Sequence, residues 1–453
     1  MGLNPFFNME VNKVYKLECI GMNHLGEGVC RYNEYVIFVK FLILGEIADI
    51  RIVKINKLIL YGKIEKLYTE SSERCEVKCD YFNKGCGSCQ LLHMSYKNSL
   101  NFKIDTVKNS LKKFARIEYS DINIISAINA YNYRNKIILH FGKINKRTIL
   151  GYYKSESNDI IEVKSCMFNH KDIEVISSFV VKEVDKLDIS IYNTNNVNGI
   201  LRHIQIRSNL DNEFLITFII TQHDSKMNVL IKNITTRFSN IKGININYNH
   251  KSTNNNFGLL TKQIYGVDNI IEKLGINKYL INYNSFFQIN TNQALKLYEV
   301  IKDFSMMEGN EIVVDAYSGV GSIGLFLAKY CKKVILIEVV KEAHLNAIKN
   351  ASLNNITNCI FINGKVENEY LKLDEKVDVL IVDPPRKGLD SDFINFLLNN
   401  KVANIIYVSC DNATFSRDIN LLKDTYKIDK INLIDMFPYT SHIEICAKLV
   451  LNK

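Results

Sequence analysis

The last third of the chain alternates apolar segments with amphipathic ones, and this alternation constrains the fold more than any other feature. Within residues 281–453, the strand-like segments include EIVVDAY, KKVILIEVV, VDVLIVDPP and VANIIYVSC. Segments with helical spacing, such as EAHLNAIKNASLNN and DFINFLLNN, lie between them. Buried strands that alternate with helices predict a doubly wound α/β sheet of the Rossmann-like type, with parallel strands.

The preceding part of the chain has a different pattern, and with 453 residues the protein is too long for a single core. Residues 1–68 contain five short segments rich in β-branched and aromatic residues, which predict a small OB-like β-barrel of a kind that often binds RNA. Residues 69–280 mix strand-like and helical segments and predict a central α+β domain. Within it, residues 95–118 predict a cationic helix that is a candidate to pack on the C-terminal domain. The predicted architecture is therefore multidomain α/β.

The charge balance and the apolar content limit the class of partner and the compartment. The net charge is +9, which permits an anionic partner such as nucleic acid without requiring one. No apolar run is long enough to span a bilayer, and the N-terminal MGLNPFFNMEVNK lacks the pattern of a secretion signal. We therefore expect a cytoplasmic protein without membrane contact.

A glycine-rich turn follows the first strand of the predicted C-terminal sheet. Gly319, Gly321 and Gly324 have G-x-G-x-x-G spacing and open a helix, which is typical of a nucleotide-binding turn. The glycines alone fit NAD as well as S-adenosylmethionine. Asp315, just before them, favours S-adenosylmethionine because a carboxylate there can meet its amino group and sulfonium. Glu338, at the end of the next strand, suits the ribose hydroxyls of either molecule.

Two further strands of this sheet end in residues that can bind or react with a ligand. Asp383 begins an Asp-Pro-Pro turn, whose two prolines cannot continue a ladder and hold the carboxylate rigidly. Cys410 follows the segment VANIIYVS, so it is either a core side chain or a nucleophile. Ligands bind beyond the carboxyl ends of strands in open parallel sheets, so both residues can share one crevice with the nucleotide turn.

A cysteine nucleophile in such a crevice limits the reaction. Methylation of an amine or a hydroxyl needs no thiolate, whereas carbon 5 of uracil is too weakly nucleophilic to attack a sulfonium methyl. A thiolate that adds to carbon 6 converts the ring to an enolate, and a base must afterwards remove the carbon 5 proton. Glu444, in the C-terminal segment TSHIEICAKLVL, is a candidate base, although a glutamate on a strand is more often exposed to solvent.

Five motifs, taken in order along the chain, resemble the RNA uracil-5-methyltransferase family. They read SFFQIN, DAYSGVGSIG, DPPRKGL, YVSCDNATFSRD and FPYTSHIE. The segments CGSCQLLH, YRNK, SCMFNH and LRHIQIR extend the resemblance over nearly the whole chain, and the N-terminal barrel is similar to the TRAM domain. One departure is Asp411-Asn412, where relatives usually have Asn-Pro.

The resemblance implies roles for individual residues. It implies that Cys410 is the nucleophile and that Glu444 is the base. It implies S-adenosylmethionine as the cofactor, with contacts from four residues: Gln288, Tyr317, Glu338 and Asp383. The implied partner is RNA and not DNA, and we expect the protein to act as a monomer.

Four of the eleven cysteines lie in the segment CEVKCDYFNKGCGSC, which begins at Cys75. By spacing alone they suit a structural zinc ion as well as an iron–sulfur cluster. The resemblance implies a structural 4Fe–4S cluster held by Cys79, Cys86, Cys89 and the distant Cys166, with Cys75 as a bystander. This chain has six residues between Cys79 and Cys86 where relatives have five, which leaves open the choice between Cys75 and Cys79.

The resemblance also bears on the substrate. Family members with both a TRAM-like barrel and a cluster mostly modify large-subunit ribosomal RNA, so it implies 23S ribosomal RNA ahead of transfer RNA. A non-catalytic RNA-binding ribosome assembly factor is the alternative from another class, and it would not need Cys410 or Glu444. RNA cytosine-5-methyltransferases typically have a cysteine in the place of Pro385, and adenine amino-methyltransferases have an aromatic residue in the place of Arg386.

Three arginines in the central region are candidates for contacts to RNA phosphates. Arg134 lies in YRNK, whereas Arg202 and Arg207 lie in LRHIQIR. Phosphate contacts position a protein on RNA without reading the base sequence. The same side chains could equally be ions within a domain interface, and the sequence leaves both possibilities open.

Overall fold

The computed structural model describes residues 9–194, 196–250 and 255–452. Residues 1–8, on which part of the expectation about secretion rests, lie outside the described ranges. No helix in those ranges combines the length and the apolar character that a membrane-spanning helix needs.

The chain divides into two compact units, which are described separately. The smaller comprises Met1–Asn109 and Phe437–His442, and the larger comprises Ser110–Met436 and Ile443–Lys453. The smaller unit begins with a six-stranded sheet. Its strands are β1 (Val14–Glu18), β2 (Gly21–Met22), β3 (Glu27–Tyr32), β4 (Tyr35–Lys40), β5 (Ile47–Asn56) and β6 (Ile59–Thr69).

The sheet of the smaller unit closes on itself. Its strand order is β1-β5-β6-β4-β3-β2, and β1 and β2 are successive stretches of one chain segment that pairs with β5 at one end and with β3 at the other. Alternate side chains, among them Ile37, Ile50 and Leu60, fill its apolar interior. The helices α1 (Asp80–Asn83) and α2 (Tyr96–Ser110) follow this sheet, and α2 continues into one π-helical turn, Leu111–Ala115.

The larger unit begins with a short strand, β7 (Ile122–Ile125), and continues into a seven-stranded sheet. The strands of that sheet are β8 (Lys136–Ile144), β9 (Arg147–Tyr153), β10 (Ile160–Glu162), β11 (Leu201–Ser208), β12 (Phe214–Ile220), β13 (Ile241–Tyr248) and β14 (Leu260–Gly266). Their order is β10-β9-β8-β11-β12-β13-β14, and all neighbours are antiparallel except β12 with β13. The helices α3 (Lys171–Lys186) and α4 (Lys226–Arg237) pack against one face.

The two faces of the seven-stranded sheet differ because side chains alternate along each strand. On β11, Ile206 points to the face covered by α3 and α4 and joins their apolar core. Gln205 and Arg207 therefore point to the opposite face, as does Thr217, which lies directly across from Gln205 on β12. All three polar side chains are buried, so their donors and acceptors need partners from elsewhere in the chain.

A hairpin and a helix connect this sheet to the next. The hairpin consists of β15 (Asn269–Leu274) and β16 (Asn277–Asn282), and the loop at residues 283–290 leads from it into α5 (Thr291–Ser305). The strands of the following sheet are β17 (Ile312–Ala316), β18 (Lys333–Glu338), β19 (Cys359–Asn363), β20 (Val379–Val382), β21 (Asn404–Ser409), β22 (Tyr426–Ile434) and β23 (Glu444–Leu451). The helices between them are α6 (Ser322–Leu327), α7 (Lys341–Leu353), α8 (Val366–Glu369), α9 (Ser391–Asn400) and α10 (Asn412–Leu422).

The strand order of this eight-stranded sheet is β19-β18-β17-β20-β21-β23-β22-β7. Neighbours from β19 to β21 are parallel, whereas β23 is antiparallel to both of its neighbours, and β7 pairs in parallel with β22 at the edge. The predicted α/β sheet is confirmed, and the antiparallel strand and the edge strand are additions to it. Strand order reverses between β17 and β20, and such a switch point is where open sheets of this kind bind ligands.

Candidate active site

The turn after β17 has a backbone that few side chains tolerate. Tyr317, Gly319 and Gly321 have φ of +63°, +56° and +81°. Glycine adopts such angles at little cost, whereas Tyr317 is held there, with its ring packed edge-on against Phe393 at 5.8 Å between centroids. Apart from its two chain neighbours, no atom of the residues that the structure describes lies within 4 Å of the position that a Cβ on Gly319 would occupy. A ligand can therefore approach the backbone of this turn closely.

Asp315 is a fully buried carboxylate beside this turn. Its Oδ2 accepts a hydrogen bond from the N–H of Gly324 at 2.8 Å, and its Oδ1 has no partner among the residues that the structure describes. Burial raises the pKa of Asp315 to about 8, and the nearby carboxylates of Asp383 and Glu338 add to this rise. Such a group favours a positively charged neighbour, which would stabilise its ionised form.

Glu338, the last residue of β18, is fixed by the backbone on both sides. Its Oε2 accepts from the N–H of Gly319 at 2.8 Å and its Oε1 accepts from the N–H of Val340 at 2.7 Å. Each carboxylate oxygen can accept a further hydrogen bond, so Glu338 can still receive hydroxyl donors from a ligand. The two acids at the ends of β17 and β18 thus lie where the sequence predicted them.

Cys410 and Glu444 come together because their strands are antiparallel neighbours. Ser409 at the end of β21 pairs with Ile445 on β23, so the next pair in register is Cys410 with Glu444. Side chains of directly opposed residues point to the same face, which places the thiol beside the carboxylate. Asp383 follows β20, the strand on the other side of β21, and so borders the same pair. The sequence predicted that Asp383 and Cys410 share one crevice, and the structure places both at this edge, where Glu444 joins them through the antiparallel pairing of β23 with β21.

The three side chains also act on one another electrostatically. Burial raises the pKa of Cys410 to about 11, with further rises from Glu444 and Asp383 and an opposing effect from the charge and hydrogen bond of Arg386. Burial and the charge of Asp383 raise the pKa of Glu444 well above its ordinary range. Asp383 keeps part of its surface exposed, yet desolvation of its carboxylate raises its pKa to about 7. Burial and the neighbouring acids thus disfavour the Cys410 thiolate, and Arg386 favours it.

Arg386 is a residue of this site that sequence reasoning missed. It entered that reasoning only as a residue that is not aromatic, yet its charge lowers the pKa of both the Cys410 thiol and the Glu444 carboxyl. A cation lowers the pKa of a neighbouring thiol and favours the thiolate. The signal was present, because Arg386 stands three positions after Asp383 in a turn already assigned to the crevice.

The residue after Cys410 is the N-cap of a helix. Asp411 caps α10 by accepting from the N–H groups of Ala413 at 3.0 Å and Thr414 at 2.8 Å. The cap fixes the chain immediately after the thiol. The departure from the family's Asn-Pro at this place therefore retains a capped helix start.

Gln288 lies in the loop at residues 283–290 and is buried. Its backbone carbonyl accepts from Asn135 Nδ2 at 2.9 Å. Arg207 reaches the same loop, because its Nη2 donates to the carbonyl of Ser285 at 2.7 Å.

Two of the three candidates for phosphate contacts are buried, which favours the alternative that they make contacts within the chain. Arg207 is only 1% exposed, so RNA cannot reach its guanidinium. Arg202 is buried too, and it donates to the carbonyl of Asn249 at 2.9 Å while its guanidinium lies over the ring of Tyr192. Arg134 is half-buried, with its guanidinium over the ring of Phe168.

Comparison with known proteins decides the family. A model of the tRNA (uracil-5-)-methyltransferase family matches residues 95–453. The chain is 37% identical over 440 residues to an uncharacterized RNA methyltransferase of Clostridium tetani, covering 96% of this chain and 95% of that one. It is 35% identical over 449 residues to an uncharacterized RNA methyltransferase of Bacillus cereus, covering 98% and 97%. The chain belongs to the RNA uracil-5-methyltransferase family.

A solved structure extends the likeness to almost the whole chain. The tRNA (uracil-54, C5)-methyltransferase of Pyrococcus abyssi, in complex with S-adenosyl-L-homocysteine, is 26% identical with a TM-score of 0.77. The match covers 96% of this chain and 99% of that one. As a member of this family, the protein is an RNA methyltransferase that uses S-adenosylmethionine.

The site has the features that S-adenosylmethionine requires. Asp315 Oδ1, buried without a partner among the described residues, can meet positive charge, and the space at Gly319 admits a ligand against the backbone. When bound, S-adenosylmethionine supplies an electrophilic methyl group on a sulfonium. The Cys410 thiol, the acids and Arg386 lie at the neighbouring ends of β20, β21 and β23.

The predicted cluster cysteines differ in their burial. Cys79 precedes α1 and is half-buried, as is Cys86, whereas Cys89 is buried. Cys166, in the larger unit, is half-buried between β10 and α3. Across the described ranges, no three Cys, His, Asp or Glu side chains are grouped so as to hold a metal ion. The positions of the side chains thus give no support to the 4Fe–4S prediction, and we derive no step through a cluster.

Proposed function

We propose that this methyltransferase transfers a methyl group to carbon 5 of a uridine in RNA, through a covalent bond between Cys410 and carbon 6. The observation that supports this most is the pairing of Cys410 with Glu444 across β21 and β23. A methyltransferase acting on nitrogen or oxygen has no use for a thiol and a carboxyl so arranged. The target uridine must leave its stack to reach them.

The bonds change in the following order. The Cys410 thiol gives its proton to solvent, its sulfur bonds to carbon 6, and the ring electrons move to form an enolate. Carbon 5 then takes the methyl group as the bond between that group and the sulfonium sulfur breaks, and S-adenosylhomocysteine would leave. Glu444, as a carboxylate, removes the carbon 5 proton, and those electrons expel the Cys410 sulfur as carbon 6 regains its double bond. Arg386 favours the thiolate in the first step and so opposes the acids that raise the pKa of the thiol.

We assign the cofactor contacts to Gln288, Tyr317, Glu338 and Asp383. Glu338 would hold the ribose hydroxyls, and Tyr317 lies in the turn that the cofactor approaches. Asp315, although not among the contacts that the resemblance implied, would face the positive charge. Loss of S-adenosylhomocysteine binding in Glu338→Ala, measured by calorimetry, tests this assignment, and unchanged binding would contradict it.

For the substrate we propose large-subunit ribosomal RNA, as the resemblance implied. The structure of the Pyrococcus abyssi enzyme favours a second candidate, transfer RNA, because that protein is described as acting on uracil 54 and matches this chain almost end to end. Tritium release from RNA labelled at uracil carbon 5 distinguishes the two. Release from 23S ribosomal RNA alone supports the first, and release from transfer RNA alone supports the second. No release from either would overturn the proposed reaction.

The remaining assignments rest on the sequence patterns and on the resemblance together. We propose a TRAM-like barrel at residues 1–68, a central domain at 69–280 with a 4Fe–4S cluster on Cys79, Cys86, Cys89 and Cys166, and a catalytic domain at 281–453, in a cytoplasmic monomer. Iron and acid-labile sulfide in anaerobically purified protein test the cluster. Cys79→Ser should lose both and Cys75→Ser neither, whereas the reverse result would exchange the two cysteines. Protein with zinc and no sulfide would replace the cluster by a zinc site.

A further inference from the structure

The loop at residues 283–290 carries Gln288, and it contains neither helix nor strand. The shape of such a segment depends on the partners of its backbone groups. Two of its carbonyls accept hydrogen bonds from the polar face of the seven-stranded sheet. Gln205 Nε2 donates to the carbonyl of Tyr283 at 2.8 Å, and Arg207 Nη2 donates to the carbonyl of Ser285 at 2.7 Å. Both donors come from β11, two positions apart, and so point to the same side.

A third side chain holds the other end of the loop. Asn135, which immediately precedes β8, donates from Nδ2 to the carbonyl of Gln288 at 2.9 Å and from its own N–H to the carbonyl of Ile289 at 2.9 Å. The carbonyl of Asn135 accepts in turn from the N–H of Ser208 at 2.7 Å, at the end of β11. The loop is therefore fastened at three of its carbonyls by side chains of one continuous surface.

Among these three side chains, that of Arg207 costs the most free energy to bury, because it is charged. Burial lowers the pKa of its guanidinium to about 10, and the charge of Glu272 opposes this effect. A buried charge is tolerated only where hydrogen bonds and an opposite charge compensate for lost hydration. The bond to Ser285 is charge-assisted and stronger than a neutral one, and its loss would leave a buried carbonyl without a donor.

We propose that Arg207, assisted by Gln205 and Asn135, is a positioning residue for the loop that places Gln288 against S-adenosylmethionine. This rests on the proposed role of Gln288 in the cofactor site. The motifs YRNK and LRHIQIR then serve the cofactor through the loop backbone, and Arg207 makes no contact with RNA.

The test measures cofactor and RNA affinity separately. Arg207→Met, Arg207→Lys and the exposed control Arg237→Met on α4 would be titrated with S-adenosylhomocysteine by calorimetry and with RNA by filter binding. In Arg207→Met we expect S-adenosylhomocysteine affinity to fall about 10- to 100-fold, as when a supporting residue behind a ligand contact is lost. RNA affinity should not change. The KM for S-adenosylmethionine should rise more than kcat falls, and Arg207→Lys should recover part of the affinity because an ammonium can donate to the same carbonyl.

Arg207→Met could also fail to fold, so Asn135→Ala and Gln205→Leu accompany it, each with an expected several-fold loss of S-adenosylhomocysteine affinity. Normal S-adenosylhomocysteine binding in the folded variants would overturn the inference, and weakened RNA binding in that case would identify Arg207 as a phosphate contact. Wild-type protein that binds no S-adenosylhomocysteine would overturn the cofactor assignment itself. Failure of the inference and failure of the cofactor assignment can be distinguished. The inference concerns only the change in S-adenosylhomocysteine affinity relative to wild type, whereas the cofactor assignment concerns whether wild type binds it.

Discussion

The two sheets of the larger unit use polar side chains in different ways. In the eight-stranded sheet, Asp383 and Cys410 lie just beyond strand ends, at an edge that a ligand can reach. In the seven-stranded sheet, Gln205 and Arg207 lie within a strand on one face, and that face is buried. Position along the strand, and not residue type, decides whether a polar group serves a ligand or the chain itself.

Arg386 and Arg207 show the same contrast between two residues of one type. Arg386 is exposed in the turn after β20 and acts on the Cys410 thiol. Arg207 is buried on β11 and holds the carbonyl of Ser285. The first therefore opposes the rise in the pKa of a thiol, whereas the second satisfies a buried carbonyl of a loop.

The largest expected effect belongs to the thiol at the end of β21. Cys410→Ala removes the group that would bond to carbon 6, so we expect methylation to fall by about 10⁴-fold or more, as when an enzyme loses its nucleophile. Tritium release from labelled RNA measures it. Cys359→Ala, at the start of β19 in the same sheet, is the matched control and should keep full activity. Substantial tritium release by Cys410→Ala would show that this residue at the end of β21 is not the nucleophile.

The carboxyl on the opposing strand should give the next largest effect. Glu444→Gln cannot accept the carbon 5 proton, so turnover should fall by about 10²- to 10⁴-fold. Methylated RNA should remain bonded to Cys410, because the sulfur leaves only after that proton is removed. A denaturing gel would show protein of increased mass. Glu342→Gln, exposed on α7, should behave as wild type. Normal turnover without a trapped adduct would assign the base to another group.

Asp315, the buried acid before the glycine turn, should make the free energy of unfolding depend on pH. The folded protein keeps a proton on Asp315 up to pH about 8, whereas the unfolded chain loses it near the ordinary value of 3.8. The unfolded state binds fewer protons in this window, so the free energy of unfolding falls as pH rises, by up to about 1.4 kcal/mol per pH unit. Asp315→Asn does not titrate and should reduce this slope.

Urea unfolding between about pH 5 and pH 8 measures the slope. Asp383, whose pKa is raised to about 7, should contribute a similar dependence that Asp315→Asn leaves in place. Asp392→Asn, exposed on α9, is the control and should retain the wild-type slope. An unaltered slope in Asp315→Asn would mean that its carboxyl is ionised in the folded protein.

The smallest expected effect comes from a comparison of two helix N-caps. Asp411 caps α10 directly after Cys410, and Asp390 caps α9 by accepting from the N–H of Phe393 at 2.9 Å. Each change to Ala should cost about 1 kcal/mol of unfolding free energy. Only Asp411→Ala should also lower kcat, since only that cap fixes the chain beside the thiol. Equal kcat in both variants would show that the cap serves stability alone.

Site residues could be predicted from the sequence where they lie at the carboxyl ends of parallel strands. Asp315, Glu338, Asp383 and Cys410 follow or end apolar segments, and parallel strands bring their carboxyl ends to one edge. Glu444 was different, because it begins a strand and joins the site only through the antiparallel pairing of β23 with β21. The sequence does not state that pairing, and so the resemblance had to supply the residue.

Arg207 shows where the sequence leaves a role open. From Ile204 to Arg207, apolar and polar residues alternate, as in a strand with one exposed face. The polar face is instead covered by a loop whose Ser285 lies 78 residues further along the chain. Alternation distinguishes the two faces of a strand but cannot tell whether the polar face meets water, RNA or the protein's own backbone.

The pairing of β7 with β22 has a consequence for the growing chain. About 310 residues separate Ile125 from its partner Ile434 in the parallel pair. At a synthesis rate of about 5 to 20 residues per second, β7 leaves the ribosome roughly 15 to 60 s before that partner exists. During this interval its backbone lacks the partners that β22 later provides. The catalytic sheet therefore gains its last edge strand only at the end of translation.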